Sequence, residues 1–308
     1  MNPVSDFFLI LPELILLGAA SCLLIFGVFR TTNADPGVTR LAVVFMGVSL
    51  VFVLAIAGDE KMIFEGLLIT DRFGQFMKAL VLVGAILTLV MGHGYREREG
   101  LMQFEYPVLI MFASLGMLLM VSANDLMSLY LGLELQSLPL YVIAAFNRDS
   151  ERSSEAGLKY FVLGALSSGL LLYGCCLVYG FTGSTSFDGI SAALSHDNTP
   201  STGVVVGMVF LCAGLAFKVS AVPFHMWAPD VYEGAPFPVT AYLAIGSKAA
   251  AFALVLRLFS EGFLPAADQW RIVVAVMAAI TMLTGNLVAL AQHNIKRLMA
   301  YSSVGQVG

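Results

Sequence analysis

The chain contains little charge for its length. Only 12% of its 308 residues are Asp, Glu, Lys or Arg, whereas 58% are hydrophobic. A soluble domain usually carries about 25% charged residues, so the composition argues against a water-soluble globular protein and indicates a chain that lies in a lipid bilayer. The formal net charge of −5 and the lack of a cluster of basic residues also argue against a nucleic-acid partner, which requires clustered Lys and Arg.

Cysteine is scarce as well. The four cysteines, Cys22, Cys175, Cys176 and Cys212, lie in apolar segments without C-x-x-C spacing, which argues against an iron–sulfur cluster or a structural zinc. The sequence also lacks G-x-x-x-x-G-K-[ST] and a glycine-rich dinucleotide loop after a strand. We therefore predict no cofactor-binding residue, no metal site and no redox chemistry within this chain.

Long apolar runs are abundant. A helix needs roughly 20 mostly apolar residues to cross a bilayer, and nine such runs predict nine transmembrane helices, at about 8–29, 41–57, 74–92, 106–123, 126–146, 155–181, 204–222, 238–259 and 271–291. A tenth helix is predicted to begin near Asn294. The residues from there to Gly308 are too few to cross about 30 Å of hydrocarbon at 1.5 Å per residue. The predicted fold class is therefore an all-α polytopic membrane protein, and we expect C-terminal truncation.

Basic residues are distributed unevenly between the two sets of connecting loops, and cytoplasmic loops carry an excess of Lys and Arg. The odd-numbered loops hold Arg30, Arg40, Arg96, Arg98, Arg148, Arg152, Lys296 and Arg297. The even-numbered loops hold Lys61, Arg72, Lys78, Arg257 and Arg271. We therefore predict that the odd-numbered loops face the cytoplasm and that the N-terminus is periplasmic.

Four ionisable residues interrupt the apolar runs: Glu134, Lys159, Lys218 and Lys248. A charge at the centre of a membrane helix costs about 2.5–3.5 kcal/mol on the insertion scale, so such residues face a partner or a hydrated cavity and mark transport pathways. Purely structural ion pairs are the alternative. For Lys159, about one turn into its span, a second alternative is that the side chain extends to the membrane interface.

Two prolines stand beside these charges. Pro139 and Pro223 lack a backbone N–H and clash with the carbonyl group four residues earlier. Irregular backbone at membrane depth occurs only inside protein or along a water-filled cavity, and transporters place ion sites at broken helices. We therefore predict a broken seventh helix. Beyond this break His225, which titrates near neutral pH, is predicted to relay protons between Lys218 and Lys248; a histidine at the cytoplasmic interface is the alternative.

A buried lysine beside a carboxylate suits proton transport. Burial disfavours the charged form of a lysine, and a nearby carboxylate favours it. A change in the distance between Glu134 and Lys218 would therefore switch this lysine between holding and releasing a proton. Moving one charge against 150–200 mV costs roughly 3.5–4.6 kcal/mol, which burial and one ion pair can supply together.

Four stretches of sequence carry a family resemblance. They are GLELQSLPL at 132–140, FKVSAVPFHMWAPDVYEGAP at 217–236, GSKAA at 246–250 and HNIKRLMAYSS at 293–303. Together they resemble the antiporter-like membrane subunits of proton-pumping NADH–quinone oxidoreductase (respiratory complex I), which are related to the multi-subunit cation/proton antiporters. PDVYEGAP and GSK are similar to the subunit N branch of this family, and the resemblance covers the whole chain.

The resemblance implies a fold of fourteen helices with two inverted five-helix repeats and a third lysine site in the twelfth helix. For this chain it predicts an N-terminal three-helix segment at 1–104. A first antiporter-like repeat follows at 105–260, and the incomplete start of the second, inverted repeat lies at 261–308.

The resemblance also implies a function. The chain is expected to be a proton-translocating subunit in the bacterial inner membrane, coupled to quinone reduction elsewhere in the complex. Its partners are expected to be the lipid bilayer and subunits K and M. NADH, FMN, iron–sulfur clusters and quinone are expected in the complex as a whole and none in this chain. A sodium/proton antiporter subunit and a purely structural membrane subunit are the alternatives.

Five residues are expected to transfer protons by this resemblance. Glu134 and Lys218 would form an ion pair, Lys159 would belong to the same polar axis, and His225 would connect Lys218 to the central Lys248.

Overall fold

The computed structural model describes residues 3–29, 36–56, 58, 60–196 and 200–308, with the side chains of 3–5 left undescribed. Its elements up to the middle of the chain are α1 (Pro3–Leu9), α2 (Leu11–Val28), α3 (Pro36–Ala55), β1 (Lys61–Ile63), β2 (Leu68–Thr70), α4 (Arg72–Met91), α5 (His93–Arg98), α6 (Glu105–Ser122) and α7 (Leu126–Ala144). The elements that follow are α8 (Glu151–Thr182), α9 (Phe187–His196), α10 (Thr202–Val219), α11 (Trp227–Gly234), α12 (Phe237–Tyr242), α13 (Lys248–Arg257), α14 (Ala267–Leu290) and α15 (Ile295–Gly305).

The helices confirm the predicted fold class. Within the described ranges, nine helical segments are long and apolar enough to cross a membrane, and α12 and α13 form one of them together. The chain is therefore an all-α, multi-pass membrane protein. The predicted start of a tenth helix is confirmed by α15, whose N-cap Asn294 accepts a hydrogen bond from the Lys296 N–H at 2.9 Å. Arg30, counted in the orientation argument, lies outside the described residues.

Loops at one end of the helices contact one another. Strands β1 and β2 form an antiparallel hairpin between α3 and α4. Leu68 of this hairpin bridges to Ala123, and Asp125 bridges to Ser186. These contacts join the second, fourth and sixth loops on one side, here called the hairpin side. Helix α11 belongs to the seventh loop and therefore lies on the opposite side, here called the α11 side.

Close helix packing is concentrated at α6 and α7. Helix α6 is the most deeply buried of the membrane-spanning segments. A Cβ atom on its Gly116 would lie 2.3 Å from the Gln136 backbone nitrogen, and one on Gly132 of α7 would lie 2.8 Å from the Met120 nitrogen. Small residues let membrane helices approach closely. Two glycines on facing helices therefore fix α7 against α6 at the level of the candidate site.

The predicted break in the seventh span is confirmed. Helix α10 ends at Val219, and Ser220 adopts a left-handed conformation with φ 66°. Beyond it, the Val222 N–H makes no helical hydrogen bond and donates instead to Thr281 Oγ1 at 2.9 Å. Pro139, in contrast, lies inside a continuous α7.

The sequence did not predict two features of the connections: a π-helical turn and a short extra helix. A π-helical turn at Leu243–Ser247 connects α12 to α13 and ends directly before Lys248. The connection between the sixth and seventh spans contains α9, which buries Phe187, Ile190 and Leu194. A search for long apolar runs misses both, because α9 is too short to span and a π-turn has no distinct hydropathy.

Candidate functional site

Lys218 is buried at the end of α10. Its side chain is 3% exposed, and its Nζ donates to Ser137 Oγ at 2.6 Å and to the Tyr141 hydroxyl oxygen at 3.4 Å. The two acceptors stand four residues apart, on one face of α7. The ammonium group also lies 5.6 Å from the centroid of the Tyr141 ring. Polar hydroxyl oxygens and an aromatic face therefore surround this cation.

The expected contact ion pair between Glu134 and Lys218 is not formed. Glu134 interacts with Lys218 electrostatically, but its buried Oε1 has no hydrogen-bond partner among the described residues. Glu134 stands three residues before Ser137 on α7, and the Lys218 side chain reaches toward the later turn. The prediction of a direct pair was therefore wrong: the two charges interact from separate positions.

Lys248 is buried at the start of α13. Its side chain is 6% exposed, and its Nζ donates to Ser303 Oγ at 2.7 Å and to the Ser303 carbonyl oxygen at 3.3 Å. The Tyr232 ring centroid of α11 lies 5.8 Å from the ammonium group. Helices α11 and α15 thus enclose the central lysine, and its hydrogen-bond partners are again neutral oxygen atoms.

A buried amide lies between the two lysine environments. Gln136, next to Ser137 on α7, donates from Nε2 to Ser247 Oγ at 2.8 Å. Both side chains are buried, with 1% exposure for Gln136 and 3% for Ser247. Since Ser247 directly precedes Lys248, α7 contacts the environments of both lysines through neighbouring residues.

His225 lies between the helix break and α11. Its ring centroid is 6.4 Å from that of Tyr301 in α15, and its Nδ1 is buried without a hydrogen-bond partner among the described residues. Burial lowers the pKa of His225, and a hydrogen bond to the Pro223 backbone partly offsets this. In the part of the chain that the structure describes, no hydrogen bond joins His225 to Lys218 or Lys248, so its relay role stays a prediction.

Lys159 differs from the two buried lysines. Its side chain is 42% exposed, and its Nζ lies 2.7 Å from Asp230 Oδ2 and 2.8 Å from Glu155 Oε1. Arg297 pairs with Asp230 at 2.8 Å and also with Glu233. These five residues, here called the α11-side ion cluster, line a cavity of about 170 Å³. Of the two positions considered for Lys159, the structure agrees with the one at the interface, because the long lysine stem carries the charge to the surface.

The sequence profile of the family described as NADH:quinone oxidoreductase/Mrp antiporter, transmembrane, matches residues 123–308. The chain belongs to this family. The resemblance predicted from the motifs is therefore confirmed.

Relatives within the family are named NADH-quinone oxidoreductase subunit N. The chain is 52% identical to the protein of Paramagnetospirillum magneticum, with 100% of this chain and 64% of that protein covered. It is 53% identical to subunit N 1 of Rhizobium meliloti, with 99% and 63% covered. The chain thus spans less than two thirds of the length of these relatives.

Solved structures of the family share the fold. A chain of respiratory complex I from Thermus thermophilus superposes with a TM-score of 0.80 at 33% identity, covering 96% of this chain and 62% of that chain. A chain of the Mrp complex from a Dietzia species superposes with a TM-score of 0.82, covering 100% and 58%, but at 22% identity this likeness concerns the fold alone.

Several buried charges lie outside the motifs that the sequence indicated. Lys78 of α4 forms a buried ion pair with Glu13 of α2 at 2.6 Å. Arg96 lies 4.5 Å from the centroid of the Tyr106 ring, and Arg257 pairs with Asp71 at 2.8 Å. The sequence predicted that Lys78, Arg96 and Arg257 are loop residues, but all three are buried. Their position near the ends of apolar runs gave no signal of burial.

Proposed function

We propose that this chain is the proton-translocating, subunit N-type membrane component of a NADH–quinone oxidoreductase in the bacterial inner membrane. The observation that carries the proposal is the environment of Lys218 and Lys248. Both lysines are buried within helical segments long enough to cross a membrane, and each ammonium group donates to a serine hydroxyl. A contact carboxylate would hold a lysine in its charged form. Neutral acceptors favour the charged form less than a carboxylate would, so both lysines could gain and lose a proton as their hydration changes.

The other predicted residues take supporting roles in this proposal. Glu134 acts on Lys218 through its charge, and its approach would favour the protonated lysine. His225 would relay protons between the helix break and α15. Lys159 would act at the α11-side ion cluster, where it meets solvent, as the cytoplasmic side of the polar axis. The segments 1–104, 105–260 and 261–308 would be the N-terminal helices, the first repeat and the start of the second.

The energy for proton movement would come from outside the chain. In this proposal NADH, FMN, iron–sulfur clusters and quinone belong to other parts of the complex, and subunits K and M are the membrane neighbours. The N-terminus and the hairpin side would face the periplasm, and the α11 side would face the cytoplasm. The subunit N names of the relatives support the assignment to a NADH–quinone oxidoreductase.

The proposal is tested by proton pumping against quinone reduction in membrane vesicles that contain the whole complex. Lys248→Ala is expected to lower the protons pumped per electron while the complex still assembles. Lys61→Ala, on the exposed hairpin, is the matched control and is expected to leave pumping unchanged. Normal pumping per electron in an assembled Lys248→Ala complex would remove the central lysine from the mechanism and overturn the proposal.

The family description also names Mrp antiporters, so a subunit of a multi-subunit sodium/proton antiporter is the second candidate function. Purification of the intact complex separates the two. Flavin and iron–sulfur absorbance that co-purifies with the chain supports the oxidoreductase. A complex without these chromophores that exchanges sodium for protons supports the antiporter.

A further inference from the structure

Ser137 is oriented as a hydrogen-bond acceptor for Lys218. Its hydroxyl donates its own proton to the Leu133 carbonyl oxygen at 2.5 Å, so only its lone pairs face the Lys218 ammonium at 2.6 Å. Hydrogen bonds with an ionised donor are roughly twice as strong as neutral ones. Ser137 therefore stabilises the protonated form of this lysine selectively and without a negative charge.

Gln136 holds the turn that precedes Lys248. Its bond to Ser247 Oγ joins α7 to the last residue of the π-helical turn, and single π-turns are frequent at functional sites. Neighbouring residues of a helix project about 100° apart, so Gln136 and Ser137 face different helices. A Cβ atom on Gly116 would lie 2.3 Å from the Gln136 backbone nitrogen, so α6 packs closely against the backbone of α7 at this residue.

We propose that Gln136 and Ser137 are positioning residues that link the charge state of Lys218 to the placement of Lys248. This inference rests on the proposed function and adds two residues to it. When Lys218 loses its proton or turns toward Glu134, the hydrogen bond from the Lys218 ammonium to Ser137 is lost. The change passes through α7, which lacks one backbone hydrogen bond at Pro139, to Gln136 and the π-turn. No proton crosses this link; it sets where the second lysine lies when the first one changes charge.

The pH dependence of pumping distinguishes positioning from simple structural support. The ionisable groups that face Lys218 are Glu134 and Tyr141 of α7, and Tyr232 of α11 faces Lys248. Removal of the Ser137 acceptor destabilises the protonated lysine. In Ser137→Ala, the alkaline limb of the pumping profile is therefore expected to move to lower pH. The expected shift is about 1–2 pH units, because the variant loses one hydrogen bond to a charged group. Ser137→Thr retains the hydroxyl and is expected to restore the profile.

A double-mutant cycle tests the second half of the link. Gln136→Leu and Ser247→Ala each remove one bond, and pumping per electron is measured in vesicles with the intact complex. Since both remove the same bond, the double variant is expected to lose no more pumping than the more severe single variant. Ser49→Ala, another buried serine, which donates to the Pro12 carbonyl oxygen, is the matched control with unchanged pumping.

The outcomes separate this inference from the proposed function. Lys218→Met that pumps normally overturns the proposed function. Lys218→Met that abolishes pumping, together with wild-type profiles for Ser137→Ala and Ser247→Ala, overturns only the link through α7. Additive losses in the cycle overturn it as well. If Gln136→Leu prevents assembly, Ser247→Ala is measured alone, because it removes only one oxygen atom. Lowered pumping in Ser247→Ala then supports the link through α7, and unchanged pumping overturns it.

Discussion

The close approach of α6 and α7 gives a stability prediction with a defined magnitude. In Gly116→Ala, the added methyl group would lie 2.3 Å from the Gln136 nitrogen and 2.8 Å from the Gln136 Cα and the Leu135 carbonyl carbon. All three atoms belong to the backbone of α7, so no side-chain rotation can relieve the contact. Optimal separations between such atoms are about 3.5–4.0 Å, so the two helices must move apart by about 1 Å.

The expected cost follows from two opposing effects. Overpacking of a buried site costs about 1–3 kcal/mol, whereas alanine gains roughly 1 kcal/mol over glycine inside a helix. A net destabilisation of up to about 2 kcal/mol is therefore expected for Gly116→Ala. The separation of α6 and α7 also displaces Gln136 from Ser247, so pumping per electron is expected to fall in the complexes that assemble.

Gly47→Ala provides the matched control. Gly47 lies inside α3, and a Cβ atom there would meet no atom within 4 Å. We expect this variant to be neutral or slightly stabilising. The assay compares the thermal midpoint of the purified complex and its abundance on native gels. Equal midpoints for the two variants would refute the close packing of α6 against Gln136.

Three further predictions concern charged groups. Glu13→Gln and Lys78→Met each leave one buried charge without its partner and are expected to destabilise the protein by about 3–5 kcal/mol. The double variant Glu13→Leu with Lys78→Met is expected to recover much of the lost thermal midpoint, and a double variant as unstable as the single ones would contradict the buried ion pair. Lys159→Met removes exposed ion pairs worth about 0–1 kcal/mol, so assembly measured on native gels is expected to be normal; failure to assemble would show that the α11-side ion cluster is a structural requirement. Burial lowers the pKa of His225 from its ordinary value of 6.5, so the unfolded chain binds this proton first and stability falls as the pH drops below that value. His225→Gln is expected to reduce the loss of thermal midpoint between pH 7.5 and 5, and identical pH dependence in both proteins would contradict the burial of His225.

The sequence alone predicted the features that depend on position along a helix. Apolar runs of spanning length gave nine helices because a bilayer imposes one length on every span. Pro223 indicated the break after α10, since proline cannot continue a helix without losing a hydrogen bond. Lys218 and Lys248 stood out because charge is rare inside such runs, and the motifs around them were enough to predict the family.

The tertiary structure alone decided which side chains meet. Lys218 bonds to Ser137 across 81 positions of sequence, and Lys248 bonds to Ser303 across 55. Hydropathy reports how deep a residue lies along a span but not which neighbour it faces, so the sequence left the position of Lys159 open and placed Lys78 in a loop. Rotation and packing of each helix, set by close contacts such as Gly116 against Gln136, determine which buried charges pair with an opposite charge and which bond to neutral oxygen atoms.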